Sequence, residues 1–397
     1  MNQENEIPAN HGERGADYST QRLTQRYRFD DPNMDLFFLG ALSWGTAGGL
    51  SVGEAFYVAS QIEDGNPDSW ADAFEKQAEV LIAQAEVWLQ RGNVKAAGET
   101  HLKAFATYRS AWQFVIPGEH FNSLFLNSQK YFDLAMEELQ LPATRFAVPY
   151  DDGELPGHFY QSEKVDAPTI LIIGGADTCH EDRFLSQGRY YLDRGYSVAL
   201  VDLPGQGLVP DQGLYWEPET EHSIHAVVDI LIEKFNVNTK KLVLLGMSLG
   251  GYFACRSAAY EPRLAAVIAT PALYNPVELF SGVAKQLSSG MPASAAGSNN
   301  FQVLLWKAGV INVAGLAEKW NGHSVDPKLV KMPFMSVLGM QEGGVWKKQT
   351  KEWHEAIEND KKQLVVLDAE TGADAHCQGN NVLRLVQEVE TWLKTVL

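Results

Sequence analysis

The chain has 397 residues, which is enough for one large domain or two moderate ones. Its composition is that of an ordinary globular protein, with 45% hydrophobic and 21% charged residues. Its 50 acidic residues outnumber the 32 basic ones, and the formal net charge of −18 argues against nucleic acid or an anionic membrane as a partner.

Targeting, membrane and metal signals do not stand out in the sequence. The N-terminus, Met-Asn-Gln-Glu-Asn-Glu, is polar and acidic, unlike a signal peptide. No apolar run is long enough to predict a transmembrane helix. The three cysteines, Cys179, Cys255 and Cys377, are far apart and show no metal-ligand spacing. We therefore expect a cytoplasmic protein with reduced thiols, no bound metal and no cofactor.

The first 141 residues predict helices and no chemistry of their own. Residues 1–30 are polar and aperiodic, which predicts a flexible arm. Aromatic and small apolar residues recur every three or four positions over 69–90 and 93–116, and a further helix is expected over 122–139. Residues 31–141 are thus predicted to form an N-terminal helical cap domain.

The pattern changes at Pro142, where strands begin to alternate with helices. Residues 143–149 and 155–160 predict a hairpin. Later strands are expected at 169–173, 196–201, 241–246, 264–270, 333–338 and 363–367. Because they are apolar throughout and separated by helices, they predict a mostly parallel, doubly wound sheet covered on both faces. Residues 142–397 therefore predict an α/β domain.

Residues 272–332 interrupt this alternation and include a flexible polar stretch, 288–300. We interpret them as a lid insertion over the C-terminal edge of the sheet, where ligands bind in such folds.

The sequence Gly246-Met-Ser248-Leu-Gly250 lies between a predicted strand and a predicted helix. A Gly-x-Ser-x-Gly motif in that context is typical of a nucleophile elbow, a strained turn that exposes the serine hydroxyl. Small residues are needed at Gly246 and Gly250 because the bend is tight. The motif predicts Ser248 as a nucleophile.

A nucleophilic serine needs a base, and the base needs an orienting carboxylate. His376 follows the last predicted strand, which is the position expected for the base. Glu342, just after strand 333–338, is the leading candidate for the acid. Asp368 and Asp374 remain alternatives, although each is also a typical turn-capping residue.

The oxyanion of an acyl-transfer reaction needs two N–H donors. Leu249 opens the helix after Ser248, and Ala176 follows two glycines after strand 169–173. We predict that the N–H groups of Ala176 and Leu249 form an oxyanion hole. Asp177 is interpreted as holding this loop, and Asp202 as part of a structural turn.

Together these motifs resemble the α/β-hydrolase superfamily. The nearest branch carries an N-terminal helical domain and includes 2,6-dihydroxypseudooxynicotine hydrolase and the fungal polyketide-shortening hydrolases. The resemblance rests on Ile173-Gly-Gly-Ala-Asp, Val201-Asp-Leu-Pro-Gly-Gln-Gly, Gly246-Met-Ser-Leu-Gly-Gly, Glu261-Pro-Arg-Leu-Ala-Ala and Gly372-Ala-Asp-Ala-His-Cys-Gln. It runs from about residue 35 to the end, and it departs from the branch at Glu342, where an aspartate is usual.

The resemblance implies hydrolysis of a carbon–carbon bond beside a ketone, as in a β-diketone or an aryl ketone, with a small molecule as substrate. It also implies a homodimer, a helical domain that closes over the site, and an auxiliary acid, for which Glu278 is the candidate. A glutamate at a helix start is equally explained by the helix dipole.

Other functions remain open at this point. An internal nucleophile in place of water would make the protein an acyl-enzyme cyclase or acyltransferase. A plain carboxylesterase and a catalytically silent binding protein are further alternatives, and the intact pair of Ser248 and His376 argues against the last.

Overall fold

The computed structural model describes residues 22–288 and 294–397. Residues 1–21 of the expected flexible arm lie outside the described residues, as do residues 289–293 of the expected polar stretch. Among the described residues, no helix is long and apolar enough to cross a membrane.

The N-terminal part is helical, as predicted. Its helices are α1 (Pro32–Ser43), α2 (Val52–Ser60), α3 (Pro67–Gln90), α4 (Val94–Ala111) and α5 (Glu119–Glu138). Helix α3 is capped by Asn66, whose side chain accepts hydrogen bonds from two N–H groups of the first turn. Gly92 has a φ of +74° and lies in the turn that joins α3 and α4 into the expected helix pair.

The rest of the chain is built on one sheet. Its strands are β1 (Ala143–Tyr150), β2 (Gly153–Tyr160), β3 (Thr169–Ile173), β4 (Ser197–Val201), β5 (Leu242–Met247), β6 (Ala266–Thr270), β7 (Phe334–Gly339) and β8 (Lys362–Leu367). Their spatial order is β1-β2-β4-β3-β5-β6-β7-β8. Strand β2 runs antiparallel to β1 and β4, and the remaining neighbours are parallel. The predicted α/β fold with a mostly parallel sheet is confirmed.

Helices lie between these strands. They are α6 (His180–Arg183), α7 (Arg189–Asp193), α8 (Glu221–Phe235), α9 (Gly250–Tyr260), α10 (Pro276–Ser288), α11 (Ala295–Ala308), α12 (Val313–Lys319), α13 (Gly344–Ala356) and α14 (Val382–Val396). A π-helical turn over Phe184–Gly188 separates α6 from α7.

Both faces of the sheet are buried, and alternate residues of a strand enter different cores. Ile170 and Ile172 of β3 belong to one hydrophobic cluster, and Leu171 and Ile173 belong to the other. The first cluster continues without a break into the N-terminal helices, where it includes Trp70. The helical part is therefore packed on the sheet through a shared core.

Residues 22–30 differ from the expected flexible arm. Phe29 is buried, and the carboxylate of Asp35 accepts hydrogen bonds from the N–H groups of Tyr27, Arg28 and Phe29. The polar composition alone predicts a flexible segment. It cannot show that the buried Asp35 carboxylate accepts hydrogen bonds from three backbone N–H groups of this segment.

The segment over 272–332 carries α10, α11 and α12. Helix α11 contacts the N-terminal helices through Asn299, whose side-chain amide donates to Phe114 O at 2.9 Å. It also contacts the sheet domain, because Lys307 Nζ donates to Ala176 O at 2.7 Å. This helix thus bridges the helical part and the loop that follows β3.

Candidate active site

Ser248 occupies a tight turn between β5 and α9. Its φ is +58°, in the left-handed region that a residue with a side chain seldom adopts. Its N–H donates to Thr270 O, and its own carbonyl accepts from Gly251 N at 2.8 Å. A Cβ at Gly246 would collide with Gly250 O, so the glycines permit this bend. The serine side chain is held at the C-terminal end of the parallel strands.

His376 lies beside this serine. Its Nε2 is 2.9 Å from Ser248 Oγ, and the imidazole is buried. Its backbone N–H donates to Arg22 O at 3.0 Å, so the ordered residues near the start of the described chain help to hold the histidine loop.

Glu342 lies on the other side of the imidazole. Its Oε1 is 2.6 Å from His376 Nδ1, and its Oε2 accepts from Gly339 N at 3.0 Å. The glutamate is 1% exposed, and both carboxylate oxygens are therefore fixed. The three side chains form one continuous hydrogen-bonded relay.

The two alternative acids lie elsewhere. Asp374 accepts hydrogen bonds from the side-chain amides of Gln341 and Asn380, at 2.9 and 2.8 Å. Asp368 caps the following turn by accepting from Thr371 N. Among the three candidates, Glu342 alone contacts His376 in the described part of the chain.

The environment of His376 favours its protonated form. Burial lowers the pKa of the imidazole, but Cys377 and the carboxylate of Glu342 raise it, and the resulting pKa is about 9. The Cys377 thiol donates a hydrogen bond to Thr270 O at 3.2 Å. The Glu342 carboxylate carries the charge that stabilises a protonated imidazole.

The loop after β3 approaches the nucleophile closely. A Cβ at Gly175 would lie 2.7 Å from Ser248 Cβ. The side chain of Gln206 donates to Gly174 O and Gly175 O, at 2.7 and 3.1 Å, and fixes the loop from behind. Within the described residues, the N–H groups of Ala176 and Leu249 have no acceptor. They remain the predicted oxyanion donors.

Comparison with known proteins agrees with this architecture. Residues 170–320 match the Alpha/beta hydrolase family. The solved structure of 2,6-dihydroxy-pseudo-oxynicotine hydrolase superimposes with a TM-score of 0.71 over 89% of this chain and 95% of its own, at 22% identity. The chain has the α/β-hydrolase fold.

Proteins similar in sequence to this chain include named fungal hydrolases. The 20-hydroxy-prefusarin hydrolase FUS2 of Gibberella moniliformis is 32% identical over 247 residues, which cover 58% of this chain and 58% of the relative. Hydrolase acrC of Aspergillus aculeatus is 29% identical over 262 residues, which cover 60% of this chain and 61% of the relative. The matches thus span about three fifths of these relatives' length.

A cavity of about 140 Å³ opens onto Ser248 and His376. Its walls are largely apolar and aromatic, and the helical part of the chain contributes many of them. Lining side chains from that part include Leu36, Phe37, Leu39, Trp44 and Trp70. Such a lining is suited to an apolar substrate body.

Three arginines also line this cavity, and none is predicted from the sequence as a site residue. They are Arg22, Arg109 and Arg183. Arg109 falls within the buried stretch of α4, beside Tyr108 and Trp112, and a charge at such a position is a signal that sequence reasoning could use. Arg22 and Arg183 carry no comparable local signal.

Two other residues considered in the sequence analysis lie outside the hydrogen-bonded relay of Ser248, His376 and Glu342. Glu278 is not among the cavity-lining residues, and its carboxylate pairs with Lys348 Nζ at 2.8 Å. Asp177 pairs with Arg22 at 3.1 Å at the cavity wall, consistent with a role in holding its loop. The structure does not bring Glu278 to the nucleophile.

His180, Glu181 and Asp202 form a buried group whose ligand-type atoms lie within 4.8 Å of one another. His180 Nδ1 is already 2.8 Å from Asp202 Oδ2, and His180 Nε2 is 3.0 Å from His158 Nδ1. Because the imidazole uses both nitrogens within the protein, hydrogen bonds account for this arrangement without a metal ion.

Proposed function

We propose that this chain is a serine hydrolase in which Ser248 is the nucleophile, His376 the general base and Glu342 the residue that orients and stabilises the histidine. The observation that carries the proposal is the buried relay, with 2.9 Å from Ser248 Oγ to His376 Nε2 and 2.6 Å from His376 Nδ1 to Glu342 Oε1. Both distances are hydrogen-bond lengths, so the histidine can accept the serine proton while the carboxylate stays ionised and holds the imidazole.

In the first half-reaction, His376 accepts the Ser248 proton as Oγ attacks the substrate carbonyl carbon. The carbonyl oxygen becomes an oxyanion, for which the N–H groups of Ala176 and Leu249 are the proposed donors. Collapse of this intermediate breaks the bond to the leaving group, and the His376 imidazolium supplies that group with a proton. Water, activated by His376, then attacks the acyl-enzyme and releases the acid.

The substrate is proposed to be a mid-sized molecule with a ketone beside the scissile carbon–carbon bond, or an ester. The apolar and aromatic cavity supports a partly hydrophobic substrate. The named reactions of the relatives, a 20-hydroxy-prefusarin hydrolase and a 2,6-dihydroxy-pseudo-oxynicotine hydrolase, support a substrate of the secondary-metabolite type. In a β-diketone the leaving carbanion is an enolate, which makes proton delivery by His376 feasible.

The proposal is tested by intact-protein mass spectrometry after incubation with a fluorophosphonate. We expect one adduct on the wild-type chain and none on Ser248→Ala, because only the activated serine reacts. An adduct that persists in Ser248→Ala would place the reactive group elsewhere.

The reaction type is then separated by turnover. Wild-type protein is assayed on β-diketones and on p-nitrophenyl esters, with His376→Ala as the inactive control. Diketone cleavage abolished by His376→Ala supports carbon–carbon hydrolysis, and turnover of esters alone would identify a carboxylesterase. A product cyclised or transferred to an alcohol instead of hydrolysed would indicate an acyltransferase.

A further inference from the structure

Asp182 lies between two of the cavity arginines. Its Oδ2 accepts from Arg109 Nε at 2.7 Å, and its Oδ1 accepts from Arg183 Nε at 2.5 Å. The Asp182 and Arg109 side chains are 0% and 4% exposed, and that of Arg183 is 8% exposed. One buried carboxylate thus serves two buried guanidinium groups.

Among the described residues that line the cavity, three arginines face a single carboxylate, that of Asp177. Arg22 and Asp177 form a pair at the wall, while Asp182 compensates only one of Arg109 and Arg183. Lys307 lies near Asp177 and contributes a further positive charge, although burial lowers the pKa of its ammonium group. The Glu342 carboxylate is directed at His376. Arg109 and Arg183 line the cavity, and their shared partner Asp182 is not itself a lining residue. These three side chains therefore carry an excess of one positive charge.

Arg109 is fully engaged by the protein. Its Nη1 donates to Gln113 Oε1 at 2.7 Å, and its Nη2 donates to Asp177 O. Its guanidinium also lies 4.1 Å from the ring centre of Trp112. Each of the three guanidinium nitrogens of Arg109 thus donates to a protein oxygen. This arginine is therefore a structural part of the cavity wall.

Arg183 differs from Arg109 in its acceptors. Within the described residues, its Nη1 donates only to the thioether of Met247, at 3.2 Å, and a thioether is a weak acceptor. Arg183, Met247 and Ser248 all line the same cavity. A buried guanidinium is costly unless an anion or strong acceptors satisfy it, and here the protein supplies a full partner for only part of the group.

We propose that Arg183 binds an anionic oxygen of the substrate, either a carboxylate or the enolate of an acidic diketone. This inference rests on the proposed function. It makes Arg183 a specificity-determining residue and assigns the substrate to ketones or esters that carry an acidic group. The anionic oxygen takes up the hydrogen-bonding capacity of Nη1 that Met247 satisfies weakly, and it neutralises the excess charge of the wall.

Binding to the wild-type chain tests this by isothermal titration with two matched ligand pairs. The first pair is 5-phenylpentanoate and 5-phenylpentanamide, which differ in charge at one end. The second pair is 1,3-cyclohexanedione, which ionises to an enolate, and 2,2-dimethyl-1,3-cyclohexanedione, which has no acidic hydrogen between its carbonyls. We expect at least one anion to bind about tenfold or more tightly than its neutral partner. Equal affinities within both pairs would overturn the proposal.

The variant Arg183→Gln assigns any preference to this residue. We expect it to bring each anion to within about threefold of its neutral partner, because Asp182 retains Arg109 and the excess charge is lost. Arg145→Gln is the matched control, since Arg145 pairs with Asp133 on the surface and its side chain is 56% exposed. An anion preference that survives Arg183→Gln would overturn the assignment.

Arg183→Lys provides a second variant should Arg183→Gln fail to fold. A lysine keeps the charge but cannot contact Asp182 and a ligand with separate planar N–H groups, so the preference should fall without vanishing. An unchanged preference in Arg183→Lys would contradict a geometric role for the guanidinium. Because these measurements use binding alone, they stand apart from the fluorophosphonate test of Ser248.

Discussion

Glu342 Oε1 lies 2.6 Å from His376 Nδ1, although the two residues come from the loops after different strands, β7 and β8. The glutamate is buried and its second oxygen is held by Gly339 N. This contact fixes the ring orientation that points Nε2 at Ser248 Oγ. It therefore links the backbone geometry at the end of β7 to the reactivity of a serine after β5.

The first prediction concerns the variant Glu342→Gln. We expect kcat to fall at least about 100-fold, because the amide neither stabilises the imidazolium nor enforces the productive tautomer. Asp374→Asn is the matched control, since Asp374 hydrogen bonds with Gln341 and Asn380 and does not contact His376. Steady-state kinetics on the same substrate compare them. Near-normal turnover in Glu342→Gln would remove Glu342 from the triad.

The second prediction concerns pH. His376 accepts the serine proton only when its imidazole is neutral, so kcat/KM should rise with pH and level off above the pKa of about 9. Loss of the Glu342 carboxylate removes an interaction that raises this pKa. In Glu342→Gln the rising limb should therefore move to lower pH, even as the plateau falls. An unshifted limb would show that another group controls it.

The elements that position the relay were accessible to sequence reasoning because their signals are local. A glycine-flanked serine between strand and helix, a glutamate just after a strand and a histidine before the last helix each occupy a short segment. The topology of a parallel sheet then brings the ends of its strands to one edge. The offset of Glu342 after its strand therefore made it the leading candidate, while Asp368 and Asp374 stayed open as alternatives until the contact with His376 was seen.

The cavity wall could not be predicted in the same way. Arg22 reaches Asp177 across 155 positions, and Arg109 reaches Asp182 across 73. Such pairs depend on how the helical part packs on the sheet, and neither residue stands in a recognisable motif. Glu278 is the opposite case. Its place at the start of α10 fits the auxiliary acid that the family resemblance implies, but in the structure its carboxylate pairs with Lys348.

The third prediction concerns Gly175→Ala. A Cβ at this position would lie 2.7 Å from Ser248 Cβ and 2.9 Å from Met247 O, so the loop must move away from the nucleophile. Displacement of the oxyanion donors should lower kcat about 100-fold or more. Gly344→Ala on α13 is the control, because no atom lies within 4 Å of its added Cβ. Equal activities in the two variants would contradict a close approach of this loop to Ser248.

The fourth prediction concerns Glu278. Its carboxylate pairs with Lys348 and accepts from Gln349 Nε2 at 3.1 Å, away from the cavity lining. We therefore expect Glu278→Gln to keep kcat within about threefold of the wild type on ketone and ester substrates alike. A selective loss of ketone cleavage would instead assign Glu278 the auxiliary acid role that the family resemblance suggests.

The fifth prediction concerns Lys307 of α11, whose Nζ donates to Ala176 O at 2.7 Å. Lys307→Met retains much of the side-chain volume but removes the contact between the inserted helix and the oxyanion loop. We expect kcat to fall about 10- to 100-fold with a smaller change in KM, because the loop N–H groups act on the transition state more than on the bound substrate.

Lys319→Met is the matched control, since Lys319 Nζ makes a similar 2.8 Å hydrogen bond to Ala308 O, within the insertion. If both variants lose activity equally, the effect arises from the packing of the insertion and not from the position of Ala176. If Lys307→Met raises KM alone, the helix contributes to substrate binding and the loop is held by Gln206.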